Sequence, residues 1–153
     1  MRYYDEMPVG TVLETASYTF TKEAILAFAR EYDPQPFHLD PAAARDSVFR
    51  TLVASGWHTA SVAMKLLVES GRFETGMVGL GVDELRWPRP VYPGDTVRVR
   101  SEAVGVKPSR SGNRAVVRWS MSMSNQRGEV VLTWSSLQLV PGRPRETTKV
   151  DSP

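Results

Sequence analysis

The chain has no cysteine among its 153 residues. That single absence excludes a disulfide framework, thiolate metal sites, iron–sulfur clusters and thiol nucleophiles. It is compatible with a reducing compartment, and the expected location is cytoplasmic. Histidine is scarce, with only His38 and His58. Long apolar runs are also missing. The longest, Ala60–Val68, is interrupted by Lys65 and falls far short of the ~20 residues needed to span a bilayer. The segment Met1 to Gly10 carries charges and a proline without an apolar stretch, so it does not read as a signal peptide. A formal charge of +2, scattered rather than striped along one face, gives no nucleic-acid footprint. The expected partners therefore include neither nucleic acid nor membrane.

What is present is the balance of a soluble globular domain: 41% apolar and 24% charged residues. The expected organisation is one domain over residues 1–140, followed by a Pro- and charge-rich mobile tail at 141–153. A strand is expected at Thr11–Thr19. Thr21 can then cap a helix to about Tyr32, with Ile25, Leu26, Phe28 and Ala29 on one face. Asp33-Pro34-Gln35-Pro36 ends that helix, because the residue before a proline is pushed out of the helical region. A short helical turn is expected at Pro41–Asp46, with proline tolerated at its first position. The second long helix runs from Gly56 to about Ser70, closed by Gly71. Its apolar residues cover most of its circumference, which predicts a helix buried on all sides.

From Met77 the pattern switches to period two. Val117, Trp119, Met121 and Met123 share one strand face, opposite Arg118, Ser120, Ser122 and Ser124. The expected strands are Met77–Trp87, Thr96–Val106, Asn113–Asn125 and Glu129–Val140. Short turns such as Tyr92-Pro93-Gly94-Asp95 make neighbours antiparallel. The fold class is thus α+β: a curled antiparallel sheet of about five strands around one buried central helix.

Two segments carry possible chemistry. The first, Asp33-Pro34-Gln35-Pro36-Phe37-His38-Leu39-Asp40-Pro41, places a carboxylate five positions before a histidine. Its prolines restrict the backbone, and a rigid loop can hold two titratable groups at a set separation for acid–base work. A capped turn with a packed histidine explains the same spacing equally well. The second, Ala54-Ser55-Gly56-Trp57-His58, opens the second long helix. The first N–H groups of a helix lack intrahelical partners and sit at the positive end of its dipole. Glycine there lets a substrate approach the backbone, which suits the oxyanion of a thioester carbonyl. Taken alone, this segment reads more readily as a helix start that Ser55 caps and where Gly56 only relieves crowding.

Together these residues resemble the signature of the MaoC-like, (R)-specific enoyl-CoA hydratase family. That family carries Asp, four residues and His, then Leu-Asp-Pro, and later a glycine opening the central helix of a hotdog fold. Here Asp33, His38, Leu39-Asp40-Pro41 and Gly56 occupy those places. A second piece, Arg86-Trp87-Pro88-Arg89-Pro90-Val91-Tyr92-Pro93-Gly94-Asp95-Thr96, resembles the family's Pro-Val-x-Pro-Gly-Asp turn. This chain departs from the family's usual Gly-Asp-x-Asn-Pro-Leu-His in having Tyr32-Asp33-Pro34-Gln35-Pro36-Phe37-His38. The resemblance implies a single hotdog domain in which Asp33 and His38 are catalytic, with Gly56, Ser55 and Trp57 at the oxyanion and substrate-binding site. It implies hydration of trans-2-enoyl thioesters to (R)-3-hydroxyacyl thioesters, or the reverse, without metal or other cofactor. It also implies an acyl-CoA or acyl-carrier thioester as substrate and assembly as a homodimer or dimer of dimers.

Other signals are weaker. His58 is expected to be a packing residue. His38, Asp40 and His58 lack the spacing of a metal site. Lys107, Arg110 and Arg114 flank a hairpin, as a solvated turn or as contacts to coenzyme A phosphates. Phe37, Trp57 and Met64 are either acyl-tunnel lining or core. A hotdog acyl-CoA thioesterase and a non-catalytic acyl-thioester-binding protein remain as alternative functions. The Asp-x4-His segment favours hydration over both.

Overall fold

The computed structural model describes residues 3–71 and 78–144. A 3₁₀ turn at Tyr4–Glu6 leads into β1 (Val12–Glu14) and β2 (Tyr18–Thr19), followed by α1 (Lys22–Tyr32), α2 (Pro36–Leu39), α3 (Pro41–Arg45) and α4 (Gly56–Glu69). Four longer strands complete the fold: β3 (Val78–Arg86), β4 (Thr96–Pro108), β5 (Arg114–Asn125) and β6 (Val130–Pro141). All pairings are antiparallel, in the order β1-β4-β5-β6-β3, with β2 also on β4.

The expected first strand is two strands. Val12 to Glu14 pair in one register with Glu102 to Arg100, and Tyr18 and Thr19 pair one residue out of step with Val97 and Thr96. Between them the Thr15 hydroxyl accepts the Val99 N–H at 3.0 Å. A side chain thus replaces a ladder carbonyl where the extra residue is absorbed.

The period-two face of β5 lies inside as its pattern predicts: Val117, Trp119, Met121 and Met123 are all buried. They meet Val97, Val99 and Ala103 of β4 and Val62, Ala63, Leu66 and Leu67 of α4 in one core. The prediction for α4 fails on its outer face. His58, Thr59, Val62, Ala63, Leu66 and Leu67 are buried, whereas Trp57, Met64 and Val68 are about half exposed or more, at 60, 49 and 52%. The sheet of one chain wraps only one side of the helix, so its apolar circumference is not exhausted.

The expected mobile tail begins too early. Pro141 still belongs to β6, the Gly142 N–H bonds the Asn113 carbonyl at 2.7 Å, and Arg143 pairs with Asp5 and Glu6 at 3.1 Å each. Residues 145–153 of that tail lie outside the described residues, as does Met77 at the expected start of β3. Among the described residues no helix is long and apolar enough to cross a membrane.

Candidate active site

The site is built where α1 ends. The Thr21 side chain caps α1 by accepting the Ala24 N–H at 3.1 Å, and the prolines after Asp33 stop it. The expected irregular loop then contains a helical turn, α2, with Pro36 at its first position. A missing N–H and a fixed φ suit that position. Being in the turn carries His38 back under Asp33. Asp40 caps the next turn through the Ala42 N–H at 2.8 Å, which accounts for its place in the sequence without any metal role.

His38 is buried, 5% exposed. Its Nδ1 lies 2.8 Å from the Val53 carbonyl. A carbonyl only accepts, so Nδ1 carries a hydrogen and Nε2 is directed elsewhere. Nε2 is 3.4 Å from Asp33 Oδ2. The carboxylate itself is held at both oxygens: Gln35 Nε2 donates to Oδ1 at 2.9 Å, and the Ser55 hydroxyl donates to Oδ2 at 2.6 Å. Burial pushes the Asp33 carboxyl up, but the Ser55 and Gln35 hydrogen bonds and the nearby imidazole outweigh it and hold the group below its ordinary value. Gln35, which stands where the family usually has Asn, therefore reaches the carboxylate directly.

Ser55 requires a correction. Its hydroxyl is not an open contact for substrate: it is fully buried, donates to Asp33 and accepts the Trp57 N–H at 3.2 Å. It lies behind the carboxylate and is not part of the cavity wall. Gly56 also has a reason beyond close approach. The Trp87 indole N–H donates to the Gly56 carbonyl at 2.8 Å, and a Cβ on Gly56 would lie 2.8 Å from a ring carbon of Trp87. The indole occupies the space that any side chain there would need. The Gly56 N–H has no protein acceptor among the described residues, leaving a free donor at the positive end of α4.

The segment 87–91 closes the site from the other side. The Ala54 N–H bonds the Val91 carbonyl at 2.9 Å. The following turn is pinned by buried Asp95, which accepts from the Tyr92 N–H, Gln126 and Arg127, while Gly94 takes the φ of +90° that the turn demands.

Asp33, His38, Gly56, Trp57, Trp87 and Arg89 all line one cavity of about 490 Å³. Phe37 lines it too, whereas Met64 sits with Trp57 on a neighbouring apolar groove. Trp57 meets Trp87 edge to face at 5.3 Å. A groove of about 520 Å³ bordered by Arg98, Arg100 and Ser122 holds no acid–base pair. None of Lys107, Arg110 and Arg114 reaches the cavity; the cation that lines it is Arg89. His58 is packed, stacked on Phe28 at 4.7 Å and edge-on to Phe20 at 4.9 Å. Among the described residues no three His, Asp or Glu side chains gather as a metal set. Val53, Trp87 and Arg89 were not singled out from sequence. Trp87 and Arg89 lie in the motif-bearing Arg86–Thr96 stretch, which was the one signal available, while the Val53 carbonyl carries no sequence signal at all.

An antiparallel sheet curled on one long helix is a hotdog fold, and its relatives place it with the hydratases and dehydratases. The chain belongs to the MaoC-like domain family, whose model matches residues 5–124. It is similar to the structure of a MaoC-like dehydratase from Rhodospirillum rubrum, with 44% identity and a TM-score of 0.89 over 94% of this chain and 99% of that one. It is also similar to the unliganded R-hydratase PhaJ1 from Pseudomonas aeruginosa, with 28% identity and a TM-score of 0.71 over 92% and 86% of the two chains. A mesaconyl-CoA hydratase from Cereibacter sphaeroides is 39% identical over 71 residues, 46% of this chain. That match spans 20% of the hydratase's length.

Proposed function

We propose that this chain interconverts trans-2-enoyl and (R)-3-hydroxyacyl thioesters, carried on coenzyme A, with Asp33 and His38 as its acid–base pair. The observation that carries the proposal is the 3.4 Å approach of His38 Nε2 to Asp33 Oδ2 on the wall of one cavity. With Nδ1 hydrogen-bonded to Val53, neutral His38 presents a lone pair at Nε2 beside the carboxylate. A water that donates one hydrogen to each acceptor turns its own lone pair outward, toward C3 of a bound enoyl thioester. The C3–O bond forms as the pair takes one proton from that water, and a proton is returned to C2. The Gly56 N–H stabilises the charge on the thioester oxygen in between. Dehydration runs the same steps backwards. Addition of water changes no net oxidation state, so the reaction calls for no redox cofactor. The R configuration is supported by the similarity to the R-hydratase PhaJ1, and the coenzyme A carrier by the similarity to the mesaconyl-CoA hydratase.

The same reading includes a homodimer. Among the described residues β3 has β6 on one side and no strand on the other, with Val78, Leu80 and Val82 each more than half exposed. Beside it an apolar groove of about 370 Å³ is bordered by Trp57, Met64, Val82 and Trp134. An open apolar edge strand beside the uncovered face of α4 is a surface that a second copy would cover.

The test is to assay wild type, Asp33→Asn and His38→Ala against short, branched and aromatic enoyl-CoA substrates. Turnover by wild type and loss of about 10³-fold or more in either variant is expected. An inactive wild type across the panel would overturn the reading.

A further inference from the structure

Arg89 is the one cation lining the cavity among the described residues, and no role in the chemistry above uses it. Pro88 and Pro90 flank it and restrict the backbone that carries it. Its side chain is exposed, at 55%. Its nearest anion is Glu129, with Nε 3.8 Å from Oε1, too long for a hydrogen bond. The competition for that carboxylate is uneven. Glu129 Oε2 already accepts from Arg127 Nε at 2.8 Å and from Asn125 Nδ2 at 2.8 Å. Those two hydrogen bonds lead the causes that hold the Glu129 carboxyl below its ordinary value, while Arg89 contributes last. Arg89 is thus a planar fork of donors with no hydrogen bond to the described residues, on the wall of a cavity whose acid–base groups are Asp33 and His38.

We infer that Arg89 binds an anionic group of the thioester substrate, a phosphate of the carrier or a carboxylate on the acyl chain. A guanidinium offers paired donors that match either group bidentately, and it is less strongly hydrated than an ammonium. The weak Glu129 contact keeps the side chain near the cavity in the free protein without satisfying it. When the anion arrives, Arg89 exchanges one long ion pair for direct hydrogen bonds, and Glu129 keeps its two short ones.

This inference rests on the cavity being the thioester site, so its test reads affinity rather than turnover. Trp57 and Trp87 in the cavity wall provide an intrinsic fluorescence signal for titration. Three saturated, unreactive probes separate the sources: butyryl-CoA, which carries phosphates; glutaryl-N-acetylcysteamine, which carries a carboxylate and no phosphate; and butyryl-N-acetylcysteamine, which carries neither. Arg89→Gln is expected to weaken one or both anionic probes by about fivefold to tenfold while the neutral probe binds as before. Weakening of butyryl-CoA alone assigns the carrier phosphate; weakening of the glutaryl probe assigns the acyl carboxylate. Lys22→Gln, in the first turn of α1 and outside the cavity lining, should change none of them. Equal weakening of all three probes, or unchanged affinity for all three, overturns the inference. An enzyme that binds the probes with Arg89 dependence but turns over no enoyl thioester would instead count only against the hydratase reading. Failure of wild type to bind any probe would count against both.

Discussion

The Ser55 hydroxyl lies 2.6 Å from Asp33 Oδ2, the same oxygen that faces His38 Nε2 across 3.4 Å. The residue that caps α4 therefore also donates to the carboxylate at the centre of the site. Ser55→Ala removes both contacts. Loss of the cap should cost about 1 kcal/mol of stability. Loss of the hydrogen bond releases Asp33 from one of the contacts that hold its pKa down, so the acid limb of the rate profile should move to higher pH and kcat should fall about tenfold. Ser55→Thr keeps the hydroxyl and should restore the limb. A pH–rate profile measured beside thermal unfolding separates the effects: a lower Tm with an unmoved acid limb would leave Ser55 as a cap alone.

Gly56 and Trp87 form a second coupled pair, since a Cβ on Gly56 would lie 2.8 Å from the indole. Gly56→Ala should displace Trp87, shift the tryptophan emission and lower kcat about 10²-fold by misplacing the helix-end donor. Shrinking the indole in Gly56→Ala/Trp87→Leu should recover part of the rate. Emission and rate unchanged in Gly56→Ala would show that the indole does not constrain this position.

Buried between Phe28 and Phe20, His58 has its pKa pulled down to about 4 by desolvation. Its Nδ1 has no hydrogen-bond partner among the described residues. The folded value lies below the unfolded one of about 6.5, so folding favours the neutral ring. The stability this contributes is complete above about pH 6.5 and is lost as pH falls toward 4. Between pH 7 and pH 5 the loss should be about 2 kcal/mol in urea unfolding. His58→Leu should flatten that part of the profile, and a wild-type stability independent of pH in this window would contradict the assignment.

The predicted homodimer places Val82, 56% exposed on β3, in the subunit contact. Val82→Lys should convert a particle of twice the monomer mass, read by light scattering, into monomer while far-ultraviolet circular dichroism stays unchanged. A monomeric wild type would remove the dimer from the account.

Much of this was legible in the sequence because periodicity reports which side of an element is covered. The alternation along β5 named its buried face residue by residue, and the proline pattern located the end of α1. The helical turn at Pro36–Leu39 was missed, although the rule that admits proline at a first helical position had been applied to Pro41. The outer face of α4 misled for another reason: apolar composition says that a surface will be covered, not that the same chain covers it. At the site, Asp33, His38 and Gly56 came from the resemblance to a family motif, which the spacing alone left open. The Val53 carbonyl that orients His38 and the indole that occupies the space beside Gly56 depend on segments that meet only in three dimensions, and a spacing along the chain does not record such meetings.

The central claim is that Asp33 and His38 direct a water to C3 of an enoyl thioester and leave the thioester bond intact. The direct measurement is to incubate wild type with a trans-2-enoyl-CoA in ¹⁸O-labelled water, following the enoyl absorbance, released thiol and the position of the label. The account predicts falling absorbance, one ¹⁸O at C3 of a 3-hydroxyacyl-CoA and no free thiol, with none of this in Asp33→Asn. Release of coenzyme A with label in a free carboxylate would contradict it, and would make the same cavity a thioesterase site.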